Sequence, residues 1–148
     1  MAPEIEFMPV TRDNWENAIS LEVCQYQARF VASNVYSLAE SKIFPECVPM
    51  AVYADGQMVG FMMYALDQED QKYWICRLMI DYNFQGKGLG RLALKSAIEY
   101  LSNLDGCDEI RLSIQPDNAI AEKLYLSVGF KHTGDIVDDE YVMALKIK

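Results

Sequence analysis

The chain has 148 residues, 51% of them hydrophobic, which suits one globular domain spanning residues 1–148. Its formal net charge of -9 argues against a phosphate-binding surface, so we expect no nucleic-acid partner and an attraction for small cations. Four cysteines without a C-x-x-C pair and a single histidine argue against a zinc site, so we expect free thiols and no metal.

The beginning of the chain and its apolar runs predict a cytoplasmic protein with no membrane partner. Residues 1–7 lack the basic start of a secretory signal, and the longest uncharged apolar run, residues 58–66, is far too short to span a bilayer. A sheet edge and apolar helix faces would remain to be covered, so a homodimer is compatible with the pattern.

The first third of the chain predicts one strand and two helices. Residues 4–10 alternate as a strand does, and residues 11–23 follow as a helix with Thr11 or Asp13 as its N-cap. A second, shorter helix is predicted over residues 34–44, because a proline comes directly after it.

The middle of the chain predicts three consecutive strands. Residues 48–54 and 57–66 flank an Asp-Gly pair at 55–56, which is the strongest hairpin signal in the sequence. Residues 73–80 form an apolar run typical of a strand buried on both faces.

The last third alternates helices and strands. A 3.6-residue apolar stripe predicts a helix that ends near residue 101, and a strand follows over 109–114. Another helix is predicted over 118–129, and two final strands over 130–137 and 140–147. The predicted fold class is therefore mixed α/β of the α+β type, with a mostly antiparallel twisted sheet of six to seven strands and about four helices.

Three glycines, Gly86, Gly88 and Gly90, stand at alternate positions between the third predicted strand of the middle region and the following helix. This spacing is neither the G-x-G-x-x-G dinucleotide motif nor the Walker loop. Free backbone N–H groups at a strand-to-helix turn still bind anions, aided by the helix dipole, where glycines let phosphate oxygens approach. Lys87 and Arg91 add local positive charge.

The residues Gln85, Gly88 and Gly90 match the acetyl-CoA signature [QR]-x-x-G-x-[GA], and the chain resembles the GNAT family of N-acetyltransferases over nearly its whole length. Within that family it is most similar to small bacterial spermidine/diamine acetyltransferases. The resemblance implies the GNAT fold, acetyl-CoA as co-substrate and a small-molecule amine as acceptor. It also implies that cofactor contacts come from Leu78, Met79, Ile80, Gln85, Gly86, Lys87, Gly88, Leu89, Gly90, Arg91 and Asn118.

Direct acetyl transfer requires a neutral amine, yet an alkylamine with a pKa of about 10.4 is only about 0.1% neutral near pH 7.4. A carboxylate, directly or through water, can remove the proton and also hold other ammonium groups. Our candidates, in order, are Glu22, expected near the end of the first helix, Glu40 on the second helix, and Asp81 after the cofactor strand.

The leaving thiolate and the reacting carbonyl oxygen need hydrogen-bond donors. Tyr125 is the candidate for the thiolate, acting either by proton transfer or by a strong hydrogen bond. A backbone N–H freed at a bulge within residues 77–81 would serve the oxygen. We interpret His132 as structural or exposed, whereas Tyr26 and Phe30 are candidates to line the path of an aliphatic polyamine.

The sequence therefore predicts an acetyl-CoA-dependent N-acetyltransferase whose acceptor is a polyamine or diamine such as spermidine or spermine. The same fold could accept an aminoglycoside, a protein N-terminus or lysine, or an amino acid. A non-catalytic acyl-CoA sensor and a phosphate-binding regulatory domain are the alternatives from other classes.

Overall fold

The computed structural model describes residues 2–147 and contains one seven-stranded sheet in the order β1-β2-β3-β4-β5-β7-β6. The strands are β1 (Ile5–Pro9), β2 (Cys47–Ala54), β3 (Gln57–Leu66), β4 (Tyr73–Ile80), β5 (Glu109–Ile114), β6 (Lys131–Val137) and β7 (Glu140–Lys146). Within the described residues there are four α-helices: α1 (Trp15–Ser20), α2 (Asn34–Ile43), α3 (Leu89–Ser102) and α4 (Ala119–Ser127). The predicted fold class and element order are confirmed.

Neighbouring strands are antiparallel except β4 and β5, and this exception creates the main cleft of the molecule. Among residues 2–147, β4 and β5 form only two parallel pairs, Tyr73 with Ile110 and Trp74 with Arg111. Beyond these pairs the two strands separate, so one backbone edge of β4 is left free toward its carboxyl end.

Helices cover both faces of the sheet. The larger core packs α3, through residues such as Leu94 and Leu101, against one face. On the other face α1 contributes Ala18 to a second core that includes Phe61 and Met63 of β3. This arrangement makes β3 the most buried strand, whereas β4 is only partly buried, contrary to the sequence-based expectation.

The two hairpin turns expected from sequence are both present. Asp55 and Gly56 have φ values of 49° and 82°, and Asp138 and Asp139 have φ values of 51° and 64°. Two successive left-handed residues form the turn whose twist matches antiparallel strands.

The first helix is shorter than predicted. It begins at Trp15 and ends at Ser20, and neither predicted N-cap residue is its cap, which is Asn14. The chain leaves the helix because tertiary hydrogen bonds replace helical ones: the Glu22 N–H donates to an oxygen of Asp81 at 2.8 Å. A 3-10 segment, Gln25–Phe30, follows in a stretch for which the sequence predicted no helix or strand.

A bulge in β4 changes which side chains face α2. Met63 pairs with Arg77 and Tyr64 with Ile75, so Cys76 is the extra residue. The bulge was predicted within 77–81 and lies one residue earlier. Because one extra residue interrupts the alternation of side chains, Cys76 and Arg77 lie on the same face, where Cys76 packs against the second core and Arg77 pairs with Glu40 of α2.

No helix within residues 2–147 has the length and apolar character needed to cross a membrane.

Candidate active site

A cavity of about 880 Å³ fills the cleft where β4 and β5 separate. We call it the glycine-side cavity, because its walls are the end of β4, the loop that carries Gly86, Gly88 and Gly90, the start of α4 and the 3-10 segment Gln25–Phe30. All the predicted cofactor residues except Lys87 and Arg91 line it directly: Leu78, Met79, Ile80, Gln85, Gly86, Gly88, Leu89, Gly90 and Asn118.

Two separate physical reasons account for the glycines of the loop. Gly86 and Gly88 both have a φ of 78°, in the left-handed region, and Gly88 is the N-cap of α3. Gly90 has no such φ, and a Cβ built on it would meet nothing of the protein within 4 Å. The space beside Gly90 therefore lies open for a ligand, next to the free N–H groups of the first turn of α3.

The free edge of β4 presents backbone groups to the same cavity. The Asp81 N–H donates to the Val59 carbonyl of β3 at 2.8 Å, so alternation along the strand directs the N–H and C=O groups of Leu78 and Ile80 to the opposite edge. The Ile80 carbonyl already accepts a hydrogen bond from the Gln85 side chain at 2.8 Å. Within residues 2–147, β5 pairs with β4 only at Tyr73 and Trp74, so both backbone groups of Leu78 remain available in the cleft.

The side chain of Gln85 joins the end of β4 to the 3-10 segment. Its Nε2 also donates to Oε1 of Gln27 at 2.9 Å, and its Oε1 accepts from the thiol of Cys24 at 3.1 Å. The sequence signature identified Gln85 as a motif residue, but it carried no signal for these side-chain partners, which lie about sixty positions earlier in the chain.

Tyr125 of α4 lies at the junction of this cavity with a second one, together with Leu78 and Asn118. Burial raises the pKa of Tyr125 to about 12, so its hydroxyl is protonated at neutral pH. No residue between 2 and 147 forms a hydrogen bond with that hydroxyl, and it is available as a donor. Asn118 caps α4 by accepting the Ala121 N–H at 3.3 Å.

The second cavity, of about 900 Å³, is strongly acidic. Five carboxylates and only two arginines, Arg29 and Arg77, line it, and we call it the acidic cavity. The carboxylates are Glu40, Glu46, Asp67, Asp138 and Glu140. Aromatic rings, including Phe30 and Trp74, form further parts of its wall. Such a surface attracts a cation with apolar segments.

The carboxylates of the acidic cavity differ in their partners. Glu40 pairs with Arg77 at 3.1 Å, and Glu140 accepts from the hydroxyl of Ser113 at 2.7 Å. Asp67 accepts backbone N–H groups of the turn that follows β3. Glu46 is half-buried, and within residues 2–147 it has neither a hydrogen bond nor an ion pair.

The structure separates the two leading base candidates. Glu40 lies in the acidic cavity with Tyr125, whereas Glu22 is exposed and lines a third cavity of about 750 Å³, between α1, the 3-10 segment and α2. The sequence suggested that both line one acceptor site, Glu22 from the end of the first helix and Glu40 from the second helix as its other wall. The first helix instead ends at Ser20, and the chain turns away.

Asp81, the third candidate, and His132, which we interpreted as structural or exposed, both have structural partners. Asp81 is buried, and its carboxylate accepts the backbone N–H groups of Glu22 and Asn83 at 2.8 and 3.1 Å. His132 on β6 lies outside the three cavities described above, and its Nε2 is 2.8 Å from an oxygen of Glu122. Neither group is positioned to serve an acceptor bound in the acidic cavity.

Sequence reasoning missed most of the acidic cavity. Arg77 enters it because of the bulge at Cys76, and Asp138 and Glu140 reach it because β7 lies next to β5. Spacing along the chain contains no signal for either event.

Within residues 2–147 the four cysteines form no disulfide bond, and Cys107 is the most buried of them. Burial raises the pKa of Cys76 to about 12. Across residues 2–147, no cluster of three or more His, Cys, Asp or Glu side chains could hold a metal ion.

Comparison with known proteins gives a consistent result. Residues 15–130 match the model of the acetyltransferase (GNAT) family. The chain is 36% identical over 138 residues to the spermine/spermidine N(1)-acetyltransferase of Bacillus subtilis, covering 89% of this chain and 91% of that protein.

Solved structures with the same fold bind CoA. The spermidine N-acetyltransferase of Vibrio cholerae, in complex with CoA and spermine, superposes with a TM-score of 0.75 at 17% identity over 96% of this chain and 95% of that one. The aminoglycoside acetyltransferase AAC(6')-Ib, in complex with coenzyme A, gives a TM-score of 0.81 at 14% identity over 97% and 95% of the two chains. At these identities the similarity concerns the fold alone.

Proposed function

Because this chain belongs to the acetyltransferase (GNAT) family, we propose that it transfers the acetyl group of acetyl-CoA directly to a primary amine of a polyamine or diamine, such as spermidine or spermine. The observation that carries the choice of acceptor is the set of five carboxylates in the cavity that adjoins Tyr125. The B. subtilis relative, named for spermine and spermidine, supports the same choice.

The residues of the glycine-side cavity fit the cofactor. The open space at Gly90 and the first-turn N–H groups of α3 suit a pyrophosphate, with Lys87 and Arg91 nearby. The free carbonyl of Leu78 suits an N–H group of the amide-bearing pantetheine arm. When bound, acetyl-CoA supplies a thioester whose carbonyl carbon can be attacked by a neutral amine.

The N–H of Leu78 is our candidate donor to the reacting carbonyl oxygen. It belongs to a rigid strand and faces the cleft, so it needs no rearrangement to stabilise the negative charge that develops there. Losing one such preorganised donor typically costs about a hundredfold or more in rate.

Tyr125 is our candidate donor to the leaving sulfur. Full proton transfer from a tyrosine with a pKa of about 12 to a thiolate with a pKa of about 8.5 would cost about 5 kcal/mol. We therefore assign Tyr125 a hydrogen bond to the developing thiolate rather than the role of a formal acid. Of the two alternatives that the sequence left open, the raised pKa of Tyr125 supports the hydrogen bond.

The acidic cavity has two tasks in this proposal. Its carboxylates bind the ammonium groups that do not react, and one of them receives, directly or through water, the proton of the reacting nitrogen. Arg77 already occupies one oxygen of Glu40, whereas Glu46 has no hydrogen bond or ion pair within residues 2–147. Asp138 likewise has neither among these residues but is exposed, so the half-buried Glu46 is our choice of carboxylate to engage an acceptor.

An aminoglycoside is the second candidate acceptor, because it too is a polycation and an aminoglycoside acetyltransferase shares the fold. Anionic acceptors fit less well, since the carboxylates of the acidic cavity outnumber its arginines by five to two.

Thiol release from acetyl-CoA, followed continuously with putrescine, spermidine, spermine, an aminoglycoside and a lysine peptide, tests the proposal. We expect turnover with the polyamines at the lowest KM. Turnover confined to the aminoglycoside or the peptide would reject the polyamine assignment, and cofactor binding without turnover of any amine would favour a sensor.

Two matched variants test the position of the acceptor. Glu46→Gln removes a carboxylate from the acidic cavity, and Glu22→Gln removes one from the third cavity. We expect the KM for spermidine to rise several-fold in Glu46→Gln and to stay unchanged in Glu22→Gln. The sequence alone had ranked Glu22 first among the candidates. The reverse result would move the acceptor to the cavity beside Glu22.

A further inference from the structure

We propose that Arg77 limits how many ammonium groups of an acceptor this protein can bind, because it occupies Glu40 as an internal cation. The inference depends on the proposed polyamine acceptor and deepens it by naming a specificity-determining residue. It concerns the acidic cavity, which both side chains line.

The position of Arg77 follows from the bulge at Cys76. In a regular strand Arg77 would face the opposite side from Cys76, but the register shift between Met63 and Tyr64 brings both to the side of α2. Cys76 and Arg77 consequently line the acidic cavity together. A cation thus stands inside a cavity whose other features favour cationic ligands.

The pair holds Glu40 firmly. Nη2 of Arg77 lies 3.1 Å from Oε1 of Glu40, and Nη1 donates to the carbonyl of Cys76 at 2.9 Å, which anchors the guanidinium on β4. The two side chains are only 22% and 29% exposed, so solvent screens their attraction less than at an open surface.

The arrangement is not one that stability alone would favour. Among the residues that the structure describes, the buried Nε of Arg77 finds no hydrogen-bond partner, and a buried unpaired donor is unfavourable. The contact with Glu40 involves one nitrogen, without the paired geometry of the strongest arginine–carboxylate interactions. A role in ligand selection accounts for a cation at this point better than a role in folding does.

The consequence depends on the charge of the acceptor. With one nitrogen neutral for reaction, putrescine has a single remaining ammonium group, which the other carboxylates can bind. Spermine has three, and in the wild type Arg77 already neutralises Glu40 through one of its oxygens, so Glu40 attracts them only weakly. Removing Arg77 frees Glu40 and also removes a like charge, so the gain grows with the number of ammonium groups.

Arg77→Gln is the direct test, and Arg29→Gln is its matched control. Both variants remove one positive charge from the acidic cavity, but Arg29 pairs with Asp117 at an exposed site, so Glu40 stays occupied in the control. In Arg77→Gln we expect the KM for spermine to fall about fivefold, the change expected when one half-buried ion pair is gained. The KM for putrescine should fall less than about twofold. In Arg29→Gln the ratio of the two KM values should stay at its wild-type level.

The double variant Glu40→Gln, Arg77→Gln keeps the net charge of the cavity and removes the pair. We expect its KM for spermine to equal that of the wild type, because Glu40 contributes no acceptor contact when paired. A several-fold rise would mean that Glu40 binds the acceptor despite Arg77 and would overturn the inference, even if Arg77→Gln alone failed to fold.

The remaining outcomes separate the two proposals. Unchanged spermine-to-putrescine selectivity in folded Arg77→Gln, with polyamines still acetylated, would overturn the inference and leave the proposed function intact. If the wild type acetylated no polyamine at all, both would be rejected.

Discussion

Substituting Gly90 by alanine should separate the stability of the fold from the binding of the cofactor. The new Cβ would meet no protein atom within 4 Å, and Gly90 lies in the first turn of α3 without a left-handed φ. Alanine is favoured over glycine in a helix by up to about 1 kcal/mol, and we take about half of that at this terminal position. The melting temperature should therefore rise by about 1–2 °C in a chain of this size.

The same methyl group would enter the space that we assign to phosphate oxygens. Displacing the phosphate from a first-turn N–H group removes a charge-assisted hydrogen bond, which we take as about 2 kcal/mol. Affinity for CoA should fall roughly 30-fold. Thermal unfolding and calorimetric titration with CoA measure the two effects in the same variant.

Gly60→Ala is the control with the opposite expectation. Its Cβ would lie 2.3 Å from the carbonyl oxygen of Met79, so the sheet must distort and the protein should lose stability. If Gly90→Ala bound CoA as the wild type does, the glycine would not be needed for ligand approach, and our placement of the pyrophosphate would be refuted.

Two further predictions concern groups with raised pKa values. Tyr125→Phe should lower kcat about 10- to 100-fold while leaving the dissociation constant for CoA unchanged, since only a donor to the leaving sulfur is removed. Because the pKa of Tyr125 is about 12, its protonated form persists until the pH approaches that value, so wild type and Tyr125→Phe should show the same shape of kcat/KM between pH 7 and 10. An alkaline decrease near pH 9 that vanished in the variant would contradict this. Cys76, with a pKa of about 12, should resist iodoacetamide at pH 8 in the folded protein and react once the protein is unfolded. Mass spectrometry of the peptides measures the extent of labelling. Rapid labelling of the thiol in the folded protein would contradict its raised pKa.

Local features of the sequence were enough to predict most of the elements and the glycine loop before α3. Apolar periodicity and turn residues act over a few positions, so the hairpin at Asp55 and the helix after Gly88 could be recognised without knowledge of distant contacts. The glycine spacing likewise reflects backbone conformations that are set within a few residues of the chain. The order of these elements, with the motif, was sufficient for the family.

The acceptor side depended on contacts between distant residues, which the sequence does not specify in readable form. The first helix ends early because the backbone of Glu22 hydrogen bonds with Asp81, fifty-nine residues later. The bulge at Cys76 is a matter of register between two strands, and it alone turns Arg77 toward Glu40. Local propensity differs too little between a longer and a shorter first helix, or between a regular and a bulged β4, to decide between them. Packing of the sheet against α1 and α2 decides both features, because only the observed helix end and strand register bury the apolar side chains between these elements.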